Sequence, residues 1–409
     1  MRGPRRGSGY RMYPVGADLF WKDSARLADG REIIYYDESP GLGRAKAPDL
    51  RPLRYRPDGP GTADGADGPG EEPPPSGLRW DALAGEWVII AAQRQDRTFL
   101  PPPEECPLDP SREGRLTEIP ADDYDVVVFE NRFPSLRGAG DPAAAAGLLP
   151  ARPLPAGPLE TAGVPGRPAT GRCEVVCFTS DHDASFASLS PRRVRTVLEA
   201  WADRTTVLQD MPGIKQVYCF ENRGEEIGVT LSHPHGQIYG YPFITPRTER
   251  MLSQARAHAV AGRANLFDEL LAGELAAGTR IVSRNEHWVA FVPAAARWPY
   301  EVLLFPARRV ASLPELTEDA REAFCPLYLD VLRRLDALFG VPLPYIAAWH
   351  QAPGGEPVAR QEFALHLQVL SIRRAPGKLK YLAGSESGMG VWINDVLPED
   401  AARRLREAR

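Results

Sequence analysis

The chain has 409 residues, enough for two domains with cores of their own. A hydrophobic share of 43% and a charged share of 25% are those of an ordinary soluble protein, and a net charge of −5 argues against a general nucleic-acid binder. No apolar run approaches the ~18 residues of a membrane helix, no apolar signal core follows the basic start, and five cysteines lack small-scaffold spacing; a cytoplasmic protein with reduced thiols is expected.

Residues 1–14, rich in Arg and Gly, read as a disordered tail. Residues 31–37 read as a strand. Residues 56–76 are Pro, Gly, Asp and Glu, a disordered connector, and order resumes at Trp80. A strand at 86–91 is followed by Gln93-Arg94-Gln-Asp-Arg97, whose arginines are either solvated charges or phosphate ligands. Cys106-Pro-Leu-Asp109 reads on its own as a surface loop. The strand at 124–129 runs into Asn131-Arg-Phe133-Pro, where Phe133 is either core or a platform for a ring. Residues 138–171 are a low-complexity run of Ala, Gly and Pro, expected to be an unstructured surface insertion.

A strand at 173–178 precedes Ser190-Pro191, an N-cap followed by Pro at the first helical position. Val194, Val197, Leu198, Trp201 and Leu208 then recur at helical spacing. The strand at 216–220 ends in Phe220-Glu-Asn222-Arg-Gly224, and Gly228-Val-Thr230 leads to His233-Pro-His235-Gly-Gln237-Ile-Tyr239. His233, His235 and Gln237 sit two apart, so in a strand all three line one face. Gly224, Gly228 and Gly236 would let the backbone approach a ligand. A neutral imidazole can attack phosphorus, and a carboxamide can donate to a phosphoryl oxygen.

The pattern then restarts. Helices are expected from Thr245-Pro246 to about Arg263 and over 266–277, strands within 280–293 and over 298–305, and a long helix capped by Thr317 with Pro326 inside it. Strands at 345–350 and 363–370 follow, the second carrying His366-Leu-Gln368 where the first half carries His235-Gly-Gln237. The order of elements repeats, which reads as a tandem duplication in which only the first copy is catalytic.

His233-x-His235-x-Gln237 resembles the histidine-triad superfamily. With Gln at the third place and Phe220-Glu-Asn222 upstream, it is similar to the galactose-1-phosphate uridylyltransferases over roughly residues 15–405, outside the two low-complexity runs. The resemblance implies an α+β fold of two histidine-triad-like halves, 15–245 and 246–409, each a mainly antiparallel sheet with packed helices. It implies His235 as nucleophile and Gln237 at the non-bridging oxygens. It implies Arg94, Arg97, Asn222 and Thr230 on the diphosphate, and Asn131 and Phe133 on the base and ribose. Lys380, Tyr381, Ala383, Gly384, Ser385 and Glu386 would hold the hexose, Lys380 being otherwise a solvated lysine.

The same resemblance implies a structural zinc on Cys106, Asp109, His182 and His233, with Asp109 where the family has a second cysteine. A second, iron-type site is not expected: His350 and His366 remain, Gln368 stands at a histidine position, and the family's glutamate ligand has no clear counterpart, Glu249 being the nearest candidate. UDP-glucose and galactose 1-phosphate are the implied substrates, in a homodimer that shares its active sites. The rival readings are an ADP-sugar or dinucleoside-polyphosphate phosphorylase of the same superfamily, and a non-catalytic nucleotide-sugar sensor.

Overall fold

The structure, a computed structural model, describes residues 11–13, 20–52, 76–96, 98–139, 166–355 and 357–409. Its strands are β1 (Arg11–Tyr13), β2 (Phe20–Arg26), β3 (Glu32–Asp37), β4 (Gly77–Asp81), β5 (Glu86–Ile90), β6 (Val126–Glu130), β7 (Arg137–Gly138), β8 (Gly166–Pro168) and β9 (Thr170–Cys177). Helix α1 (Pro191–Gln209) leads to β10 (Gln216–Arg223) and β11 (His235–Tyr241), then to α2 (Pro246–Val260) and α3 (Leu266–Ala277). Strands β12 (Ile281–Arg284), β13 (Trp288–Phe291) and β14 (Tyr300–Pro306) precede α4 (Glu318–Ala337) and β15 (Tyr345–His350). After α5 (Pro357–Glu362) come β16 (His366–Ser371), β17 (Arg373–Ala375), β18 (Lys378–Leu379), α6 (Gly384–Met389) and α7 (Pro398–Glu407).

Among the described residues, thirteen strands form one sheet in the order β1-β2-β3-β6-β9-β11-β10-β15-β16-β14-β13-β12, with β7 beside β9. From the central seam outward the two sides mirror each other: β10-β11-β9-β6-β3 on one, β15-β16-β14-β13-β12 on the other, every pair antiparallel. This is the strand order a duplication gives. The copies meet where Phe220 of β10 pairs with Ala348 of β15.

Helices α1 and α4 cover one face, burying Trp201, Phe324 and Tyr328 against Phe178, Cys219, Ile238 and Leu367. Both begin as the sequence dictates: the Ser190 hydroxyl accepts from Arg193 N and Thr317 accepts from Ala320 N. On the opposite face the 104–124 loop covers β3, β6 and β9, while α2, α3 and α5 cover β13 and β14. Between those two covers lies the part of β11 that carries His235 and Gln237.

Several edges differ from expectation. Arg11–Tyr13 of the expected tail pairs with β2. Residues 138–139 and 166–171 of the expected unstructured run are ordered, because β8 pairs with β4 and β7 pairs parallel to β9. Ser76 is buried and accepts from Gln93 Nε2, so order resumes before Trp80. The rest of both low-complexity runs lies outside the described residues.

Candidate active site

Strand β11 begins at His235, so His233 belongs to the preceding bend and does not share a strand face with His235 and Gln237. Pro234 between them lacks the N–H that would extend the ladder. His235 is half-buried, and its Nδ1–H donates to the His233 carbonyl at 2.7 Å. That bond fixes the tautomer and leaves a lone pair on Nε2. Burial lowers the imidazole pKa to about 4, so the ring is neutral near pH 7 and ready as a nucleophile. Gln237, on the same face, takes a hydrogen bond on Oε1 from the Tyr239 hydroxyl at 3.2 Å.

The glycines serve packing and turning. A Cβ on Gly236 would stand 2.8 Å from the Phe220 carbonyl and 2.9 Å from Phe178, so this residue lets β11 lie close on the core. Gly224 and Gly228, at φ of 101° and 82°, turn the chain between β10 and the motif.

Arg94 sits beside the Tyr239 hydroxyl and donates to the Phe133 carbonyl at 3.0 Å, which brings the expected phosphate arginine to the edge of Gln237. Arg97 lies outside the described residues. Asn131 Oδ1 accepts from Phe133 N at 2.8 Å, and Phe133 is half-buried with the Arg132 guanidinium over its ring, so it is not a core phenylalanine. Asn222 is half-buried in β10. Thr230 accepts from Leu100 N through its carbonyl at 2.8 Å, and Leu100 has a φ of 42°, strained for a side chain branched at Cγ.

Cys106, Asp109, His182 and His233 converge, with ligand atoms all within 4.8 Å of one another. Cys106 and Asp109 are buried, where the sequence alone suggested a surface loop. Their loop is tied down by Arg115, which donates to the Cys106 carbonyl and to Asp109 Oδ2. Asp109 Oδ1 stands 2.9 Å from His182 Nδ1 and 3.0 Å from His233 Nδ1. The His233 Nε2–H donates to the Thr179 carbonyl, which can only accept. Burial disfavours the charged ring, so His233 turns its Nδ1 lone pair toward a carboxylate oxygen. A proton or a metal ion between them would satisfy both groups, and the donor set of one thiol, one carboxylate and two imidazoles fits a transition metal.

The segment expected to hold the hexose folds around an internal ion pair. Lys380 and Glu386, expected as separate ligand contacts, are buried and joined at 2.7 Å, and Lys380 also donates to the Ile393 carbonyl. Ala383 N donates to Glu386 Oε2 and Ser385 Oγ to the Val391 carbonyl, around the short helix that Gly384 opens. Tyr381 is 72% exposed. Among the described residues no hydrogen bond or ion pair links this segment to His235 or Gln237 of the same chain.

Residues 75–245 match the family model "Galactose-1-phosphate uridyl transferase, N-terminal domain", and residues 251–409 match its C-terminal domain. A galactose-1-phosphate uridylyltransferase of Streptomyces lividans is 48% identical over 94% of this chain and 97% of its own length. One of Thermotoga maritima is 37% identical over 81% of this chain and 98% of its own. The chain belongs to the galactose-1-phosphate uridylyltransferase family. A solved uridylyltransferase shares the fold at a TM-score of 0.68 and 29% identity, covering 81% of this chain and 97% of that one. An Arabidopsis ADP-glucose phosphorylase, at 0.60 and 20% identity, shares the fold alone.

In this uridylyltransferase-family chain the second half keeps the geometry and loses the opening. His366 Nδ1 donates to the Ala364 carbonyl at 2.8 Å, the bond His235 makes to its own residue two back. Its ring, however, is stacked between Phe305 and His350 at 4.8 Å and flanked by Phe363 and Phe267, which α3 brings down over it. The carboxylate that reaches this dyad is Glu301, hydrogen-bonded to Gln368 Nε2 at 2.5 Å, with Gln368 Oε1 taking the His350 Nε2–H at 3.1 Å. Glu249, the candidate for the glutamate ligand, instead lines a cleft with Trp80 and Trp87. Glu301 and Tyr239 were missed in the sequence. Tyr239 carried a usable signal, standing two residues past Gln237 on the same strand face.

Proposed function

We propose that this chain transfers UMP from UDP-glucose to galactose 1-phosphate through a uridylyl-His235 intermediate. The supporting observation is the His235 ring itself, neutral, with Nδ1 committed to the His233 carbonyl and Nε2 without a hydrogen bond among the described residues. Nε2 attacks the α-phosphorus of UDP-glucose, a P–N bond forms, and the bond to the bridging oxygen breaks with its electron pair leaving on glucose 1-phosphate. A phosphate oxygen of galactose 1-phosphate then attacks the same phosphorus and the P–N bond breaks, releasing UDP-galactose and restoring the neutral ring. Arg94, Arg97, Asn222 and Thr230 hold the diphosphate, Asn131 and Phe133 the uridine, and Gln237 donates to a non-bridging oxygen.

Cys106, Asp109, His182 and His233 would hold zinc, which when bound supplies a structural cross-link ahead of β11. The segment from Lys380 to Glu386 serves the hexose in the partner's site of a cytoplasmic homodimer. The exposed Tyr381, Leu382, Met389, Val391 and Ile393 give it an apolar surface for that contact. No helix among the described residues is long and apolar enough to cross a membrane.

The test is incubation with UDP-glucose alone, followed by peptide mass mapping. The peptide carrying His235 is expected to gain one uridylyl group, and ADP-glucose is expected to leave it unlabelled. Turnover without label on that peptide, or faster labelling by ADP-glucose, refutes the reading.

A further inference from the structure

A carboxamide has a donor end and an acceptor end of nearly the same shape, and only its partners decide which end faces a ligand. Gln237 is useful to a phosphoryl group only with Nε2 turned toward it. With Oε1 turned instead, it would set an acceptor against phosphate oxygens. The side chain that bonds Gln237 within the protein is Tyr239, whose hydroxyl lies 3.2 Å from Oε1. Gln237 Nε2 makes no hydrogen bond among the described residues.

A tyrosine hydroxyl alone could accept from Nε2 as readily as donate to Oε1. The geometry here has the hydroxyl donating to Oε1, and its surroundings favour that sense. The Arg94 guanidinium and the Ser135 hydroxyl lie beside the Tyr239 oxygen. Arginine is donor only, so its nearness favours the acceptor side of that oxygen, and the phenolic proton is directed to Gln237 Oε1 at 3.2 Å. Burial raises the Tyr239 pKa, so the proton stays in place at ordinary pH. The ring is held by edge contacts to Phe220 at 5.2 Å and Tyr241 at 5.9 Å.

We propose that Tyr239 is a positioning residue that locks the Gln237 carboxamide with Nε2 toward the reacting phosphorus and ties that orientation to the phosphate-binding Arg94. The proposal rests on the reading of Gln237 as a phosphoryl contact. The order of partners, Arg94 to Tyr239 to Gln237, places a donor at each end of the chain, and both ends serve one diphosphate. A phenylalanine at 239 would keep the packing and lose the polarity.

The experiment is a double-mutant cycle on the full-length protein with UDP-glucose and galactose 1-phosphate. Tyr239→Phe is expected to lower kcat about five- to tenfold, the worth of one neutral hydrogen bond, with KM for UDP-glucose changed less than about twofold. Ser135→Ala is expected to shift kcat in the same direction by less. Gln237→Ala is expected to cost more than Tyr239→Phe, and adding Tyr239→Phe to it is expected to cost nothing further. A Tyr239→Phe loss that persists undiminished in the Gln237→Ala background overturns the coupling. Wild-type kcat in Tyr239→Phe also overturns it. Wild-type kcat in Gln237→Ala refutes instead the underlying reading of Gln237.

Discussion

Glu221 follows Phe220 in the motif, yet its side chain points away from the site, into the core under α4. Its Oε1 accepts from the Tyr345 hydroxyl at 3.0 Å, and Oε2 is buried without a partner among the described residues. Burial pushes the carboxyl up to about 8, more than the Tyr345 bond and nearby Arg223 pull it down. Near pH 7 the folded chain therefore holds a neutral acid where the unfolded chain has a carboxylate. Across the window from the ordinary value of 4.5 to about 8, the folded state carries one more proton. Stability from this group is thus fully present below 4.5 and is lost as pH rises through 8. The slope is at most about 1.4 kcal/mol per pH unit. Glu221→Gln is expected to remove that slope, so its melting temperature should gain on the wild type from pH 6 to pH 8.5. Parallel curves for the two proteins would show that Glu221 does not titrate in this window.

At the scale of elements, the loop bearing Cys106 and Asp109 is fastened to the bend before β11 through Asp109, which meets both His182 and His233. Asp109→Cys gives the site a softer second ligand and is expected to tighten zinc and raise the melting temperature, with the gain abolished by chelator. Metal content per subunit and melting with and without chelator check this; equal zinc affinity and equal melting in both proteins would count against a metal at this cluster. The same loop shows where sequence stops being legible. The strands and capped helices were readable because periodicity and caps are local, as Ser190 and Thr317 demonstrate. The pair His235 and Gln237 was readable because the two residues alternate on one short strand. The burial of Cys106 was not, since it depends on residues 109, 115, 182 and 233 meeting in space. Nor was the Lys380–Glu386 pairing, since a ligand contact and an internal ion pair use the same side chains. Short strands such as β7 and β8 escaped because a Pro- and Gly-rich composition hides pairing that tertiary structure imposes.

The two halves are joined edge to edge in one sheet, and the join bears on how the molecule unfolds. Two halves of such length commonly behave as separate units, with separate transitions. Here the seam argues otherwise. Strand β10 pairs with β15 across it, and one core cluster runs from Ile34 and Val128 through Trp201 to Trp349, Leu367 and Leu405. Trp201 meets Trp349 edge-on at 6.3 Å, so the largest side chains of the two halves fill each other's space. Above the sheet, Arg195 of α1 bonds Glu318 and Glu322 of α4, while Arg321 of α4 returns to Glu199. Opening either half would expose the edge of β10 or β15 and half of that core, a cost in apolar area that neither half recovers alone. Hydrogen exchange under increasing urea is therefore expected to release the amides of β11 and β16 at one midpoint. Release of β16 at clearly lower urea, with β11 still protected, would mean that the halves are stable independently and that the seam is a docking surface between two domains.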